Sequence, residues 1–292
     1  MKHVTVAGGG VLGVQIALQS AVKGKDVTIW LRSESSITRT QPRIQYYKEQ
    51  YLGTLQKGIP APGLVGVTAE DVEKAVASIR IELDLEKALS DADLLIEAIS
   101  EDAGVKKDFF EKASPYITEK MIVVTNSSTL LPSMLADDVP YPQNFLSLHF
   151  ANHIWINNLA EVMVHPGTNP EAFAKVMEFA REIGMDPVAV MKERNGYLLN
   201  SMLVPFLMSA MDLYVTKTGS PEDIDKAWAK GTGAAIGPFR MLDAIGLETA
   251  LLITSQFVNI PDEIAPFHYK DIAQMLKERI AKKERFTADR EI

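Results

Sequence analysis

The sequence has no cysteine, no long apolar run and no excess of positive charge. With 0 Cys in 292 residues, it excludes disulfides, thiolate nucleophiles and cysteine metal sites. No apolar run reaches the roughly 18 residues of a membrane span, and a strand pattern follows Met1 too closely for a signal peptide. The net charge of −8 argues against nucleic acid as the main partner, because phosphate binding needs a basic face. We therefore expect a soluble cytoplasmic protein that binds neither nucleic acid nor membrane.

Strand and helix patterns alternate through the first two thirds of the chain. Short apolar strand patterns occur at 3–7, 26–31, 79–83, 94–99, 121–125, 145–148 and 161–164. Patterns with helical spacing lie between several of them, at 11–22, 39–52, 105–113 and 171–183. This alternation predicts an α/β fold, a doubly wound Rossmann-type sheet with helices on both faces. Residues 53–66, rich in glycine and proline, are expected to form an exposed connection.

A glycine-rich turn joins the first strand pattern to the first helix. Gly8-x-Gly10-x-x-Gly13 follows a strand, opens a helix and precedes a second strand, which is the context that gives the motif its meaning. Gly8 permits a tight turn, Gly10 lets a pyrophosphate approach the backbone, and Gly13 lets helix and strand pack closely. Val11 and Leu12 begin the helix, whose free N–H groups favour anions. The turn therefore predicts a dinucleotide site.

The end of the second strand pattern lacks the carboxylate that usually binds the ribose of NAD. Leu31 occupies that position, and Arg32 and Ser33 follow it. A missing carboxylate removes repulsion against a 2′-phosphate, and Arg32 with Ser33 can bind one. Glu34 could still serve a ribose, and Arg32 could be a solvated surface residue. The predicted cofactor is NAD or NADP, with a slight preference for NADP.

The character of the chain changes near Asn195. Residues 196–218 form one long, nearly all-apolar helical pattern, and only helical patterns follow, at 221–230, 238–245, 247–257 and 269–283. We therefore predict a dinucleotide-binding domain over 1–190 and an all-helical domain for substrate and dimer contacts over 191–292. A helix that is apolar all round must be buried on every side. About one hundred residues supply little cover, so we expect a homodimer through the helical domain.

Several motifs occur in an order typical of one enzyme family. After the glycine turn they occupy 96–101 with Lys106, 126–129, 149–152, 159–162, 200–205 and 233–239. On these motifs the chain resembles the L-3-hydroxyacyl-CoA dehydrogenase family from residue 3 to about residue 255. Residues 125–133 and 149–153 are most similar to a diketoreductase-like branch. The resemblance implies an NAD(P)-dependent oxidoreductase of fatty acid metabolism.

The resemblance also implies a role for each matched polar residue. His149 would be the general acid or base, and Glu161 its orienting partner. Ser128 and Asn200 would hydrogen-bond the substrate oxygen. The residues expected to line the nicotinamide end of the cofactor are Glu101, Lys106, Asn126 and Asn152.

The chemistry of alcohol oxidation suits these residue types. A proton must leave oxygen while hydride leaves carbon, and histidine accepts a proton near neutral pH. A carboxylate on the second ring nitrogen fixes the tautomer and stabilises imidazolium, so we expect the strands of His149 and Glu161 to be neighbours. Ser128 and Asn200 offer neutral donors to charge building on the carbonyl oxygen. His149 and His153 have helical metal-ligand spacing, but their segment is a strand end and loop without a third ligand, so no metal is predicted.

Each predicted site residue also has a structural interpretation. Ser128 could cap the next helix, Asn200 could make a structural hydrogen bond inside an apolar helix, and Lys106 could be an ordinary exposed lysine. His153 and Trp155 are expected to shape the substrate pocket.

The predicted activity is the interconversion of 3-hydroxy and 3-keto groups on a small acyl substrate, presented as a CoA thioester. The alternative is a diketoreductase-like reduction of β-keto or β,δ-diketo esters and acids without CoA. Ala151, His153 and Trp155 alter the pocket wall relative to the family, and residues 284–290 replace its usual glycine-rich aromatic C-terminus. A non-catalytic nucleotide-binding or structural relative is a remote alternative, because such a protein has no need to retain the intact set of Ser128, His149, Glu161 and Asn200.

Overall fold

The computed structural model describes residues 1–287, which divide into two units between Leu198 and Leu199. This division lies a little beyond the predicted boundary near residue 190. The strands of the first unit are β1 (His3–Ala7), β2 (Asp26–Trp30), β3 (Arg80–Glu82), β4 (Leu94–Glu97), β5 (Ile122–Thr125), β6 (Phe145–Phe150), β7 (Leu159–Met163) and β8 (Asp186–Val190). Its helices are α1 (Val11–Val22), α2 (Glu34–Gln56), α3 (Ala69–Ser78), α4 (Leu85–Leu89), α5 (Ala103–Ala113) and α6 (Pro170–Glu182).

The eight strands form one sheet in the order β3-β2-β1-β4-β5-β6-β7-β8. Neighbouring strands are parallel except β6 and β7, which are antiparallel. Two apolar clusters cover the sheet. One contains Ile16 of α1 and Val176 of α6, and the other contains Phe110 of α5. The doubly wound sheet is thus confirmed, and the carboxyl ends of β1, β4 and β5 meet at one edge, where such folds bind ligands.

The structure contains elements that the sequence patterns did not predict. Helix α3 begins at a capping box, in which Thr68 and Asp71 exchange hydrogen bonds, a recognisable helix start. Helix α2 starts at Glu34 and continues through Pro42. The 53–66 segment is not simply exposed, because Leu64 is buried and the Gly63 N–H donates to the Trp155 carbonyl.

The second unit consists of helices around its own apolar core. They are α7 (Leu199–Val215), α8 (Pro221–Thr232), α9 (Pro238–Ile245), α10 (Leu247–Ser255) and α11 (Tyr269–Lys282). Phe239, Leu242 and Ile272 lie at the centre of the core. Helix α7 is not buried on every side within one chain, because Met202 is 66% exposed. No helix within residues 1–287 is long and apolar enough to cross a membrane.

Candidate active site

The glycine turn leaves its backbone open at the start of α1. Gly8 has a left-handed φ of 121°, and a side chain there would overlap the carbonyl oxygen of Ala98. A Cβ on Gly13 would overlap the Gly8 carbonyl, whereas a Cβ on Gly10 would meet nothing within 4 Å. Gly10 is the N-cap residue of α1 and provides no side-chain cap, so the first-turn N–H groups remain available to an anion. This geometry fits a dinucleotide pyrophosphate.

Two adjoining cavities flank the turn. The larger, about 660 Å³, includes Leu31 and Arg32, and the smaller, about 230 Å³, includes Val11 and Leu12. Gly10, Ala98 and Ile99 line both cavities, so one extended ligand can pass from one to the other. The smaller cavity also contains four of the predicted polar residues, namely Glu101, Lys106, Asn126 and Ser128.

The larger cavity has a cationic wall on α2. Arg32 is exposed at the cavity, as predicted, but Ser33 does not line it, and the Ser33 hydroxyl instead contacts those of Ser35 and Ser36. Ser36, Arg39, Thr40 and Arg43 line the cavity, and Glu34 does not. The sequence reasoning missed these residues, although their three- and four-residue spacing places them on one face of a helix.

Arg39 and Arg43 are held by local hydrogen bonds. The Arg43 Nη1 donates to the Gly9 carbonyl at 3.0 Å, and the Arg39 Nη2 donates to the Ser36 hydroxyl at 3.1 Å. Asp108 and Lys112 also line the cavity, and these two side chains pair with each other at 2.7 Å. The α2 wall therefore presents positive charge beside a site fitted for a dinucleotide.

The pairing of β6 with β7 brings His149 and Glu161 together. The two residues are directly opposite in the antiparallel register, so their side chains share one face of the sheet. His149 Nδ1 lies 3.3 Å from a carboxylate oxygen of Glu161, and both residues are buried. The other carboxylate oxygen accepts from the Leu198 N–H at 2.9 Å. This arrangement leaves Nε2 as the ring nitrogen on the side away from Glu161.

Ser128 contacts that second nitrogen. Its hydroxyl lies 3.2 Å from His149 Nε2, and the residue lines the smaller cavity. The capping alternative is not seen, because the next helical turn, Pro132–Met134, has Leu131 as its N-cap residue and no side-chain cap. A continuous contact chain therefore runs from Ser128 through His149 to Glu161 and begins at the cavity.

Glu101 organises the loop that carries Ser128. One carboxylate oxygen accepts from the Ser127 hydroxyl at 2.6 Å, from the Ser128 N–H at 2.8 Å and from the Thr129 N–H at 2.7 Å. Burial alone would raise the pKa of Glu101, but these donors and the Lys106 charge hold that pKa below its ordinary value. The anion that results fixes three consecutive residues of the loop.

Lys106 is buried rather than an exposed lysine. Its side chain is 1% exposed, and its ammonium lies 2.6 Å from Glu97 and 3.5 Å from Glu101. Glu97 is fully buried at the end of β4 and also accepts from the Thr125 hydroxyl at 2.6 Å. The sequence reasoning assigned Glu97 no role. A charged residue in an otherwise apolar strand pattern was the feature that marked it, since a buried charge needs a partner.

The remaining predicted residues are not all at the cavities. The Asn126 side chain accepts from the Phe150 N–H at 3.1 Å and so joins the ends of β5 and β6. Asn152 is exposed and lines neither cavity. Trp155 is a core residue instead of a pocket wall, because it is buried with its ring 4.7 Å from that of Tyr51. Asn200 lies near the start of α7 in the second unit, where its predicted role stays a prediction.

Among residues 1–287, no three His, Cys, Asp or Glu side chains group so as to hold a metal ion. His149 is at the end of a strand, and the exposed His153 adopts a left-handed φ of 57° in the following loop.

Comparisons with known proteins match the whole described chain. Residues 3–194 match the family model described as "3-hydroxyacyl-CoA dehydrogenase, NAD binding domain", and residues 196–287 match "3-hydroxyacyl-CoA dehydrogenase, C-terminal domain". The mitochondrial hydroxyacyl-coenzyme A dehydrogenase of Homo sapiens is 32% identical over 87% of this chain and 79% of its own. A 3-hydroxybutyryl-CoA dehydrogenase of Mycobacterium tuberculosis is 31% identical over 92% and 90%. A solved diketoreductase, described as acting on dicarbonyl compounds, is 39% identical, covers 99% of both chains and has a TM-score of 0.87.

Proposed function

Because the chain belongs to the 3-hydroxyacyl-CoA dehydrogenase family, whose members are NAD(P)-dependent oxidoreductases acting on CH–OH groups, we propose that it interconverts 3-hydroxy and 3-keto acyl groups with His149 as proton carrier. The observation that carries the proposal is the contact chain Ser128–His149–Glu161, which starts at the smaller cavity. A carboxylate on one ring nitrogen and a cavity-lining hydroxyl at the other is an arrangement that suits general acid–base catalysis.

In the oxidation direction, His149 Nε2 takes the proton of the substrate hydroxyl, and Glu161 on Nδ1 stabilises the imidazolium that forms. Ser128 donates a hydrogen bond to the same oxygen, because its hydroxyl already lies within reach of Nε2. In reduction, imidazolium returns the proton to the developing alkoxide. The bound nicotinamide supplies or receives the hydride. Glu101 and Lys106 keep the Ser128 loop in place.

The proposed cofactor preference is for NADP over NAD. Leu31 provides no carboxylate to repel a 2′-phosphate, and Arg32 is exposed on the cavity wall with Ser36 and Arg39 nearby. Planar guanidinium groups bind phosphate through paired charge-assisted hydrogen bonds. Binding of NAD requires only the glycine turn and the α1 N-terminus, so both nucleotides fit the common part of the site.

The proposed substrate is a small 3-hydroxy or 3-keto acyl group as a CoA thioester, as in the curated relatives named above. The second candidate is a β-keto or β,δ-diketo compound without CoA, which the 39% identical diketoreductase favours. Asn200 is proposed to donate a second hydrogen bond to the substrate oxygen, and Asn152 to contact the nicotinamide, on the family resemblance alone.

We also propose a homodimer through the helical unit and a cytoplasmic location. Within a single chain, Met202, Leu213 and Trp228 are exposed large apolar side chains on α7 and α8. A groove of about 490 Å³ lies between these helices and includes Leu213 and Trp228. Exposed apolar side chains on two neighbouring helices, with a groove between them, favour a second copy as cover. Sedimentation at several protein concentrations tests the dimer, and fractionation of the source cells tests the location.

Initial-rate measurements test the activity. The purified enzyme is assayed with acetoacetyl-CoA, an acetoacetate ester and a β,δ-diketo ester, each with NADH and with NADPH. The proposal predicts turnover of acetoacetyl-CoA, faster with NADPH at limiting cofactor. Turnover of the diketo ester alone would replace the main proposal with the second candidate. No turnover of any compound with either nucleotide would overturn both.

A further inference from the structure

Tyr197 lies directly against the imidazole of His149, in a segment that the family motifs do not explain. The two rings stack with their centroids 4.5 Å apart and their planes 17° from parallel. Tyr197 is buried and packs in a small apolar cluster with Met163 and Val190. It is one of the largest fully buried side chains in residues 1–287.

The backbone around Tyr197 is held in an unfavourable conformation. Gly196 and Tyr197 have consecutive left-handed φ values of 80° and 53°. Glycine adopts this region freely, but a tyrosine does so at a cost in free energy. Such a conformation persists only where the surrounding contacts enforce it. The contacts of Tyr197 here include the ring stack, its hydroxyl, and its N–H, which donates to the Arg194 carbonyl at 3.1 Å.

The Tyr197 hydroxyl reaches the loop that carries Ser128. It donates to the Ser127 carbonyl at 2.6 Å, one residue before Ser128. Burial raises the pKa of the Tyr197 hydroxyl well above its ordinary value, so the group stays a neutral donor. One side chain therefore contacts the imidazole through its ring and the serine loop through its oxygen.

The hydrogen-bond contacts of His149 are made through its two ring nitrogens. Glu161 contacts Nδ1 and Ser128 contacts Nε2. Hydrogen bonds favour a nearly linear N–H direction, which lies in the ring plane, so two such contacts restrain the line between the nitrogens more than the tilt of the ring about that line. An aromatic ring stacked on one face of the imidazole restricts that tilt, and the Tyr197 ring is such a neighbour.

We propose that Tyr197 is a positioning residue for the proton transfer, which sets the tilt of the His149 ring and, through Ser127, the distance from Nε2 to the Ser128 hydroxyl. This inference rests on the proposed role of His149 and deepens it. Tyr197 touches neither the cofactor cavities nor, by this account, the reacting atoms. Its effect reaches the chemistry only through the two residues that it holds.

The test compares Tyr197→Leu and Tyr197→Phe with matched variants of Tyr51. Tyr51 of α2 is also fully buried, packs with its ring centroid 4.7 Å from that of Trp155 at a tilt of 40°, and donates from its hydroxyl to Gln19 at 2.8 Å. For each variant the Tm, the cofactor Kd, kcat, KM and the solvent deuterium isotope effect on kcat are measured with the best substrate.

Tyr197→Leu is expected to lower kcat by about 10²-fold, which is the scale of effect that a misplacement of roughly 1 Å produces. The solvent isotope effect should become larger. The cofactor Kd should stay within about twofold of wild type. Tyr197→Phe keeps the stack and is expected to recover most of that loss. Tyr51→Leu should lower Tm yet leave kcat per folded enzyme and the isotope effect unchanged. If Tyr197→Leu does not fold, Tyr197→Met is measured instead, because methionine is a large side chain without an aromatic face.

The proposal is overturned if folded Tyr197→Leu turns over at the wild-type rate, or if Phe at this position is as slow as Leu. It is also overturned if the Tyr197 and Tyr51 variants lose activity only in proportion to their stability. Failure of the proposed function has a different signature, since His149→Gln itself would then turn over normally.

Discussion

The two ends of the cofactor cleft in the first unit are built in opposite ways. At the smaller cavity, His149, Glu161 and Lys106 are buried, and each is held by at least one neighbouring side chain. At the larger cavity, Arg32 and Arg39 are exposed on the surface of the loop and helix that follow β2. One end is fixed by the sheet, and the other is formed by side chains that project into solvent.

This difference separates what the fold determines from what a few substitutions can change. Buried charges are tolerated only with partners, so the residues of the smaller cavity depend on one another. Exposed charges interact weakly with the rest of the protein, so Arg32 can vary with little effect on stability. We infer that the residues proposed for proton transfer are held in place by the sheet, whereas the preference for NAD or NADP depends on a few exposed side chains that follow β2.

The largest expected effect is at the buried end. His149→Gln should lower turnover by roughly 10²–10⁴-fold, because glutamine cannot carry the proton, while nucleotide binding at the glycine turn persists. Steady-state rates and a fluorescence titration with NADH measure the two properties. His165→Gln is the matched control, since His165 is also buried but contacts the Pro142 carbonyl instead of the site. A near-normal rate for His149→Gln contradicts the assignment.

The stability of the protein should depend on the buried pair of Lys106 and Glu97 much more than on an exposed lysine of the same helix. Lys106→Met leaves the buried Glu97 carboxylate without its cation and should lower the free energy of unfolding by about 3–5 kcal/mol. Adding Glu97→Gln to it should recover part of that loss, because the unpaired charge is removed. Urea denaturation provides the free energies. Lys107→Met is the control on the same helix, since Lys107 is 66% exposed, and should change stability by less than about 0.5 kcal/mol.

The smallest effect belongs to the exposed end. Arg32→Ala should weaken NADPH binding by about tenfold, the value of a charge-assisted hydrogen bond, and leave NADH binding and stability nearly unchanged. Isothermal titration with both nucleotides tests this, with Arg80→Ala as an exposed arginine outside the cavities. Equal losses of affinity for NADH and NADPH would contradict the proposal that Arg32 binds the 2′-phosphate.

Strong local patterns predicted most of the fold. Helix α1 and strand β1 begin and end where the sequence indicated, because a glycine turn separates two uninterrupted apolar patterns. Strand β8 was missed, since it contains Pro187 and half-exposed residues in place of a continuous apolar run. Helix α2 extends beyond its prediction on both sides, and its polar sequence and internal proline hid that length.

The residues of the site likewise divide into those that the sequence predicted and those that it did not. The structure brings Ser128, His149 and Glu161 together, as the family resemblance implied, and the sequence patterns allowed the strands of His149 and Glu161 to be neighbours. Glu97 could have been found from its charge in an apolar strand pattern. The contacts of Tyr197, such as that of its hydroxyl with Ser127, join segments distant in sequence, so only the folded arrangement reveals them.

The most direct test of the account is the rate of alcohol oxidation by Glu161→Gln. Glutamine can neither fix the His149 ring as the carboxylate does nor stabilise the imidazolium that forms in the reaction, so turnover should fall by at least about tenfold while nucleotide binding persists. Glu182→Gln, at a surface carboxylate of α6, should keep the wild-type rate. A Glu161→Gln enzyme with the wild-type rate would contradict the account.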